Sequence, residues 1–357
     1  MALADVRRTP VRPVADEVAK PTPPVNFFAI GGALLLLFVA YVWIRWISGA
    51  DFKHVPTGPD AEPGWMKTVG DIWQPAGLLA ALGVIYGVVI RPWRRDGRPS
   101  TDGVLVLAYC SLWFEDPLSA YHGHWFVYNA NLVNMGSWVA DVPGWNSFAQ
   151  PGQTVVEPLL LIGPVYVYFI LIGTLFGCWV LRRIQARRPA TPKWQLIAWL
   201  FGAMCLFDFV GEGLIWLPLG FWEYPGGPGL LFPSTYHKYP VNEMLTIGGM
   251  FTAITCLRYF RDDKGLTLVE RGVDKIKGRR RQTLLRILAV TFAAHMALIV
   301  FYNVPNSWVG THSRPWPKDI TERSYFMNGI CAGTTGRTCP GPGVKLDRDR
   351  GETSLQP

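Results

Sequence analysis

The chain has 357 residues, half of them hydrophobic and 17% charged, with a formal net charge of +8. That is too apolar for an ordinary soluble domain, and the apolar residues are bunched into runs of about 20, the length that crosses a bilayer. The positive charge is spread between those runs, as in membrane proteins, and no nucleic-acid-binding motif accompanies it, which argues against nucleic acid as a partner.

In chain order, residues 1–24 are polar, proline-rich and basic and are expected to be a disordered cytoplasmic tail. No signal-peptide cleavage pattern follows, so the first apolar run is expected to stay as a helix. Spans are expected at about 25–47, 72–90, 103–121, 157–181, 194–217, 241–259 and 283–304. Between them lie a mixed-charge loop (51–71), a Trp-, Asn- and Gly-rich loop (122–156), an aromatic Gly/Pro-rich loop after the fifth span and a basic amphipathic segment (261–281). Residues 305–357 read as a polar extracytoplasmic tail. The fold class is therefore an all-α polytopic bundle of about seven transmembrane helices filling 25–304. Of the 34 lysines and arginines, 23 fall in segments that are cytoplasmic when the N-terminus is inside. That asymmetry predicts an N-in, C-out protein of the cell membrane.

Gly83…Gly87 and Gly173…Gly177 are small-residue pairs that permit close helix packing. Cys331 and Cys339 lie eight apart in the outer tail, where an oxidising exterior favours a disulfide.

The candidate chemistry lies at the outer ends of the spans. Asp208 and Glu212 are one turn apart on one face of the fifth span. A carboxyl in hydrocarbon is costly unless paired, protonated or wet, and marks either a functional site or an internal latch between helices. No lysine or arginine occurs between Arg98 and Arg182, or between Lys193 and Lys238, so most of these acids lack an obvious cation. A carboxyl kept neutral in an apolar pocket can act as a general acid. Glu115 and Asp116 are neighbours about 100° apart on a helix, so one of the two is expected to face a shared pocket, and Pro117 behind them marks a kink. Glu157 reads as a helix N-terminal residue, and Glu243 as that or a pocket residue. His295, within the last span, is a helix contact or a proton relay; His122 ends the third span, and His122-Gly-His124 is too little for a metal site. Trp113, Trp216, Trp222 and Tyr224 belong either to an interfacial aromatic belt or to a cavity wall, where their π-faces would stabilise a developing cation.

WFEDPLSAY at the end of the third span, VPGW in the following loop, GEGLIWLPLGFWEYPG from the fifth span and YPVNE before the sixth resemble, in this order, the spirocyclase AveC-like membrane proteins of actinobacteria. Their name-giving member acts in avermectin biosynthesis, forming a spiroketal and dehydrating it. The resemblance implies a membrane cyclase or dehydratase acting on a lipophilic substrate. Read bottom-up, Asp208, Glu212, Glu115 and Asp116 are the catalytic candidates, and Trp113, His122, Trp216, Trp222, Tyr224, Glu243 and His295 the substrate-binding ones. No dinucleotide, Walker or haem-attachment motif is present, so no cofactor and no metal is expected. The alternative is a lipid-binding or transport accessory protein without activity. A retinal photoreceptor is set aside, because the last span has no lysine for a Schiff base.

Overall fold

The computed structural model describes residues 23–121, 125–144, 156–312, 314–327, 330, 331, 339 and 341. The expected tail up to residue 22, His122 and residues 145–155 of the following loop lie outside them.

The chain is mostly helical. Among the described residues, five helices are long and apolar enough to cross a membrane: α1 (Pro24–Ser48), α2 (Gly64–Asp96), α5 (Ile162–Arg187), α6 (Lys193–Leu219) and α8 (Arg279–Gly310). They make this a membrane protein. Two further expected spans are helical but fall outside that group of five. One is broken into α3 (Thr101–Leu112), a tight turn at Trp113–Glu115 and α4 (Asp116–Tyr121); the other is α7 (Val241–Tyr259). The second helix starts eight residues before its expected position, taking in the last eight residues of the mixed-charge loop, and the fourth starts five residues later.

Prolines explain both ends and breaks. α1, α2, α6 and α7 each begin directly behind one (Pro23, Pro63, Pro192 and Pro240), whose extended backbone starts a helix but cannot lie deep inside one. Three π turns widen the long helices at Ile85–Ile90, Phe209–Trp216 and Ile299–Asn303. Each has a proline two residues beyond its end: Pro92, Pro218 and Pro305. A proline lacks the N–H for its turn and clashes with the carbonyl four residues back, here Val88, Leu214 and Phe301, all within the π turns. Widening the turn relieves both. Pro117 acts similarly, following the turn that breaks the third span.

Close approaches use glycine. A Cβ on Gly32 would lie 2.0 Å from the Leu288 carbonyl oxygen, so α1 and α8 touch backbone to backbone. Gly173 and Gly177 face Phe251 and Thr255 of α7, as small-residue packing requires, whereas Gly83 and Gly87 have nothing within 4 Å. At one end of the bundle, Arg258 holds Asp102 through two hydrogen bonds of 2.7 and 2.8 Å, and Arg286 holds the buried Glu270 at 2.7 Å.

A cap closes the other end of the bundle. β1 (Val127–Tyr128) pairs antiparallel with β2 (Trp222–Glu223), and β3 (Leu230–Leu231) with β4 (Tyr239–Pro240). The segment expected as a polar tail starts inside α8 and then lies over these strands through α9 (Lys318–Thr321) and α10 (Ser324–Met327). Trp316, Ile320, Tyr325 and Phe326 are buried against Met66, Val127 and Val139, and the Ala130 N–H donates to the Tyr325 carbonyl at 2.8 Å. Cys331 and Cys339 are joined by a disulfide.

Candidate functional site

Beneath the cap lies a cavity of about 80 Å³. α4 contributes Asp116; β1 and its approach Phe126 and Tyr128; α5 Tyr166 and Phe169; α6 Asp208, Glu212 and Trp216; the β2 strand and its end Trp222 and Tyr224; α7 Glu243; and α8 Tyr302. Positions four apart on a regular α-helix drift by about 40° per step. The π turn takes that drift back, so Asp208, Glu212 and Trp216 keep facing the same space.

Every cavity carboxyl is held by aromatic donors. Asp116 accepts from Tyr128 Oη at 2.7 Å and from Tyr166 Oη at 2.9 Å. Asp208 accepts from Tyr239 Oη at 2.7 Å and stands against Glu212. Glu212 accepts from Trp222 Nε1 at 2.8 Å and makes a short contact with Tyr224 Oη, which lies 3.1 Å from Glu243 Oε1. A phenol has one proton to give, so when both Tyr224 contacts are made, one of these two carboxyls supplies the second proton. Glu243 is buried and is also 3.4 Å from Asn306 Nδ2. Asp208, Glu212 and Glu243 are thus linked, directly or through the Tyr224 hydroxyl, in a set through which a proton can pass, and Asp116 stands on its own pair of tyrosines.

The sequence-predicted residues divide. Asp116, Asp208, Glu212, Glu243, Trp216, Trp222 and Tyr224 meet at the cavity. Glu115 does not: it turns behind the wall and makes a short contact with His295 Nδ1. His295 is fully buried there, with Nε2 2.9 Å from Ser111 Oγ, so it is a partner of Glu115 and not part of the lining. The Ser111 hydroxyl is itself 2.8 Å from the Ala108 carbonyl, its only possible acceptor role there being towards His295. Trp113 also leaves the lining, packing edge-on against Trp138 and donating from Nε1 to Glu157 at 2.5 Å. Glu157 is no helix cap: α5 starts at Ile162, and the carboxyl is buried close to Asp116. His122 lies outside the described residues.

Sequence reasoning missed the tyrosines, Tyr128, Tyr166, Tyr239 and Tyr302. A signal was available for two of them, because Tyr166 and Tyr302 stand inside apolar runs, where a phenol needs a partner. Just outside the cavity, Glu223 is fully buried, with Arg323 Nη1 3.9 Å from its carboxyl. Burial pushes this carboxyl well above the usual carboxylate range, against the pull of Arg323 and Lys238.

Comparison with curated proteins and with solved structures finds no match. A family model described as spirocyclase AveC-like matches residues 93–326, a stretch that holds every cavity-lining side chain. The chain belongs to the spirocyclase AveC-like family.

Proposed function

We propose that the protein is a multi-pass enzyme of the cell membrane, with seven spans, the N-terminus inside and the C-terminus outside. In this reading it cyclises or dehydrates a lipophilic hydroxy-ketone by acid–base chemistry, without a cofactor and with membrane lipids as its surroundings. The observation that carries the reading is the convergence of Asp116, Asp208, Glu212 and Glu243 on one capped, aromatic-walled cavity. Asp208 or Glu212 gives a proton to the hydroxyl of a hemiketal, the C–O bond breaks and water leaves. The oxocarbenium ion that remains is stabilised by the π-faces of Trp216, Trp222 and Tyr224. A second hydroxyl of the substrate then attacks the cationic carbon and loses its proton to a carboxylate. Loss of a neighbouring C–H proton from the same cation instead gives the enol ether, which is the dehydration. Of the two acids at 115 and 116, the base role falls to Asp116, whose carboxyl faces the cavity; Glu115 and His295 support it from behind.

The test compares a deletion strain by untargeted metabolite mass spectrometry, complemented with wild type, Asp208→Asn or Glu212→Gln. We expect a species heavier than its product by one water to accumulate, and only wild type to clear it fully. Loss of one acid–base group should slow turnover by about 10²- to 10⁴-fold. Clearance by both variants at the wild-type rate would overturn the reading. A lipid that shifts between membrane fractions with no compound converted would make the protein a lipid-binding or transport accessory.

A further inference from the structure

Two basic runs far apart in the chain, RPWRRDGR at 91–98 and KGRRR at 277–281, meet at one place in the fold. Together they hold eight lysines and arginines and one acid, Asp96. α2 ends at Asp96 and α8 begins at Arg279, and both are among the helices long and apolar enough to cross a membrane. The runs therefore meet where two spans leave the hydrocarbon. Between them lies a space of about 410 Å³, within the roughly 300–1,000 Å³ of small-molecule sites. Trp93 and Gly97 border it on the α2 side, and the first turns of α8 on the other.

The α8 side grades from charged to apolar. Arg280, Thr283, Leu284 and Ile287 all line the space, and their spacing puts them on one stripe of the helix. The stripe is about 10 Å long and runs from a guanidinium through a hydroxyl to two aliphatic side chains. Leu284 is 55% exposed and Trp93 39%, as suits an apolar residue facing acyl chains and a tryptophan at headgroup level. Arg279 also lines the space. Its Nη2 donates to the Asp96 carbonyl at 2.7 Å, which holds the guanidinium across the gap between the two helices. The Asp96 carboxylate is occupied by Arg95, at 2.8 and 3.0 Å. No carboxylate is present in the lining, so among the described residues neither Arg279 nor Arg280 has its charge met there. Neighbouring guanidiniums repel, and an anion between them removes that cost.

We infer that this space binds one anionic phospholipid. The phosphate lies between Arg279 and Arg280 with the Thr283 hydroxyl as a further donor, and an acyl chain follows Leu284 and Ile287 into the bilayer. A zwitterionic lipid fits less well, because its own ammonium group meets the same arginines. A soluble phosphate satisfies the arginines but leaves the apolar half of the stripe unused, so the occupant is a lipid. The inference is independent of the acid cavity, which none of these residues lines.

The test reconstitutes the full-length protein in phosphatidylcholine vesicles carrying a trace of phosphatidylglycerol or of phosphatidylcholine with a diazirine on one acyl chain. After illumination, peptide mapping by mass spectrometry gives the label on 283–287 relative to that on Ile30 and Leu34. Those two are exposed on α1 at a similar depth, since Gly32 between them meets Leu288. The phosphatidylglycerol probe should give a ratio about tenfold above the phosphatidylcholine probe. The double variant Arg279→Gln/Arg280→Gln should lower it to the phosphatidylcholine level. Arg187→Gln/Arg188→Gln removes two exposed charges from the same end of the bundle and should leave it unchanged. Equal ratios for the two probes on wild type would overturn the inference, and that comparison needs no variant to fold. An equal loss in both double variants would also overturn it, because the attraction would then belong to a charged surface and not to this site. Displacement of the label by inorganic phosphate, beyond that caused by chloride at the same ionic strength, would give the arginines to a soluble anion and overturn the lipid.

Discussion

Glu223 and Glu212 illustrate two uses of a buried carboxyl eleven residues apart. Glu212 is surrounded by the Trp222 and Tyr224 donors and faces open space. Glu223 points the other way from Trp222 on β2, into the cap, where neither of its oxygens has a hydrogen-bond partner among the described residues and Arg323 stands 3.9 Å off. Alternation along a strand sends neighbours to opposite faces, so Trp222 and Glu223 cannot share a role. Because the folded-state value of Glu223 is raised above its unfolded one, the native state keeps a proton that the unfolded chain has lost across the interval between them. Stability is therefore full below the ordinary glutamate range and falls as pH rises through the folded value. Melting curves of purified wild type and Glu223→Gln between pH 5 and 8 should show wild type losing melting temperature as pH rises, and the variant losing less. Parallel curves would mean that Arg323 and Lys238 already compensate the charge.

At the scale of elements, the π turns are the feature with most consequence for the site. The turn at Phe209–Trp216 keeps two acids and a tryptophan on one line, and its cause, Pro218, is itself in the sequence. Deleting Gly211 removes one residue from that turn and brings Asp208 and Glu212 three apart. Circular dichroism should report an unchanged helix content, while turnover falls by about 10²-fold, the cost of misplacing a reacting group by about 1 Å. Packing between helices makes a separate demand. Gly32→Leu drives a side chain into the Leu288 backbone and should destabilise the α1–α8 contact by about 1–3 kcal/mol, whereas Gly83→Leu, with open space around it, should leave thermal stability unchanged.

Across the whole molecule, the cap and the bundle depend on each other. The C-terminal segment is held by the Lys238–Asp319 contact, by the paired Asp60 and Ser324 hydrogen bonds of 2.9 and 2.8 Å, and by its buried aromatics. It lies on the strands that present Trp222 and Tyr224 to the cavity. The proposed topology places this cap, with its disulfide, in the oxidising exterior. A phosphatase that folds only outside the cell, fused after residue 357, should be active, and the same enzyme fused within the 261–281 segment should be silent. The reverse pattern would invert the topology.

The amino-acid sequence by itself determined the apolar helices and the acids near their ends, though not where every helix starts. These follow from local chemistry: chain length against bilayer thickness and the cost of a carboxyl in hydrocarbon. Asp208 and Glu212 were legible together because one helical turn joins them. The sequence also pointed to one of Glu115 and Asp116 facing inward, but not to which. Only the tertiary structure decided that, and it did so through residues far away in the chain: His295 takes Glu115, while Tyr128 and Tyr166 take Asp116. It likewise withdrew Trp113 and Glu157 into a contact with each other and brought in Tyr302, 186 positions after Asp116. A hydrogen bond between distant residues leaves no periodicity for either one to announce, so the partners of these acids became visible only once the helices were packed.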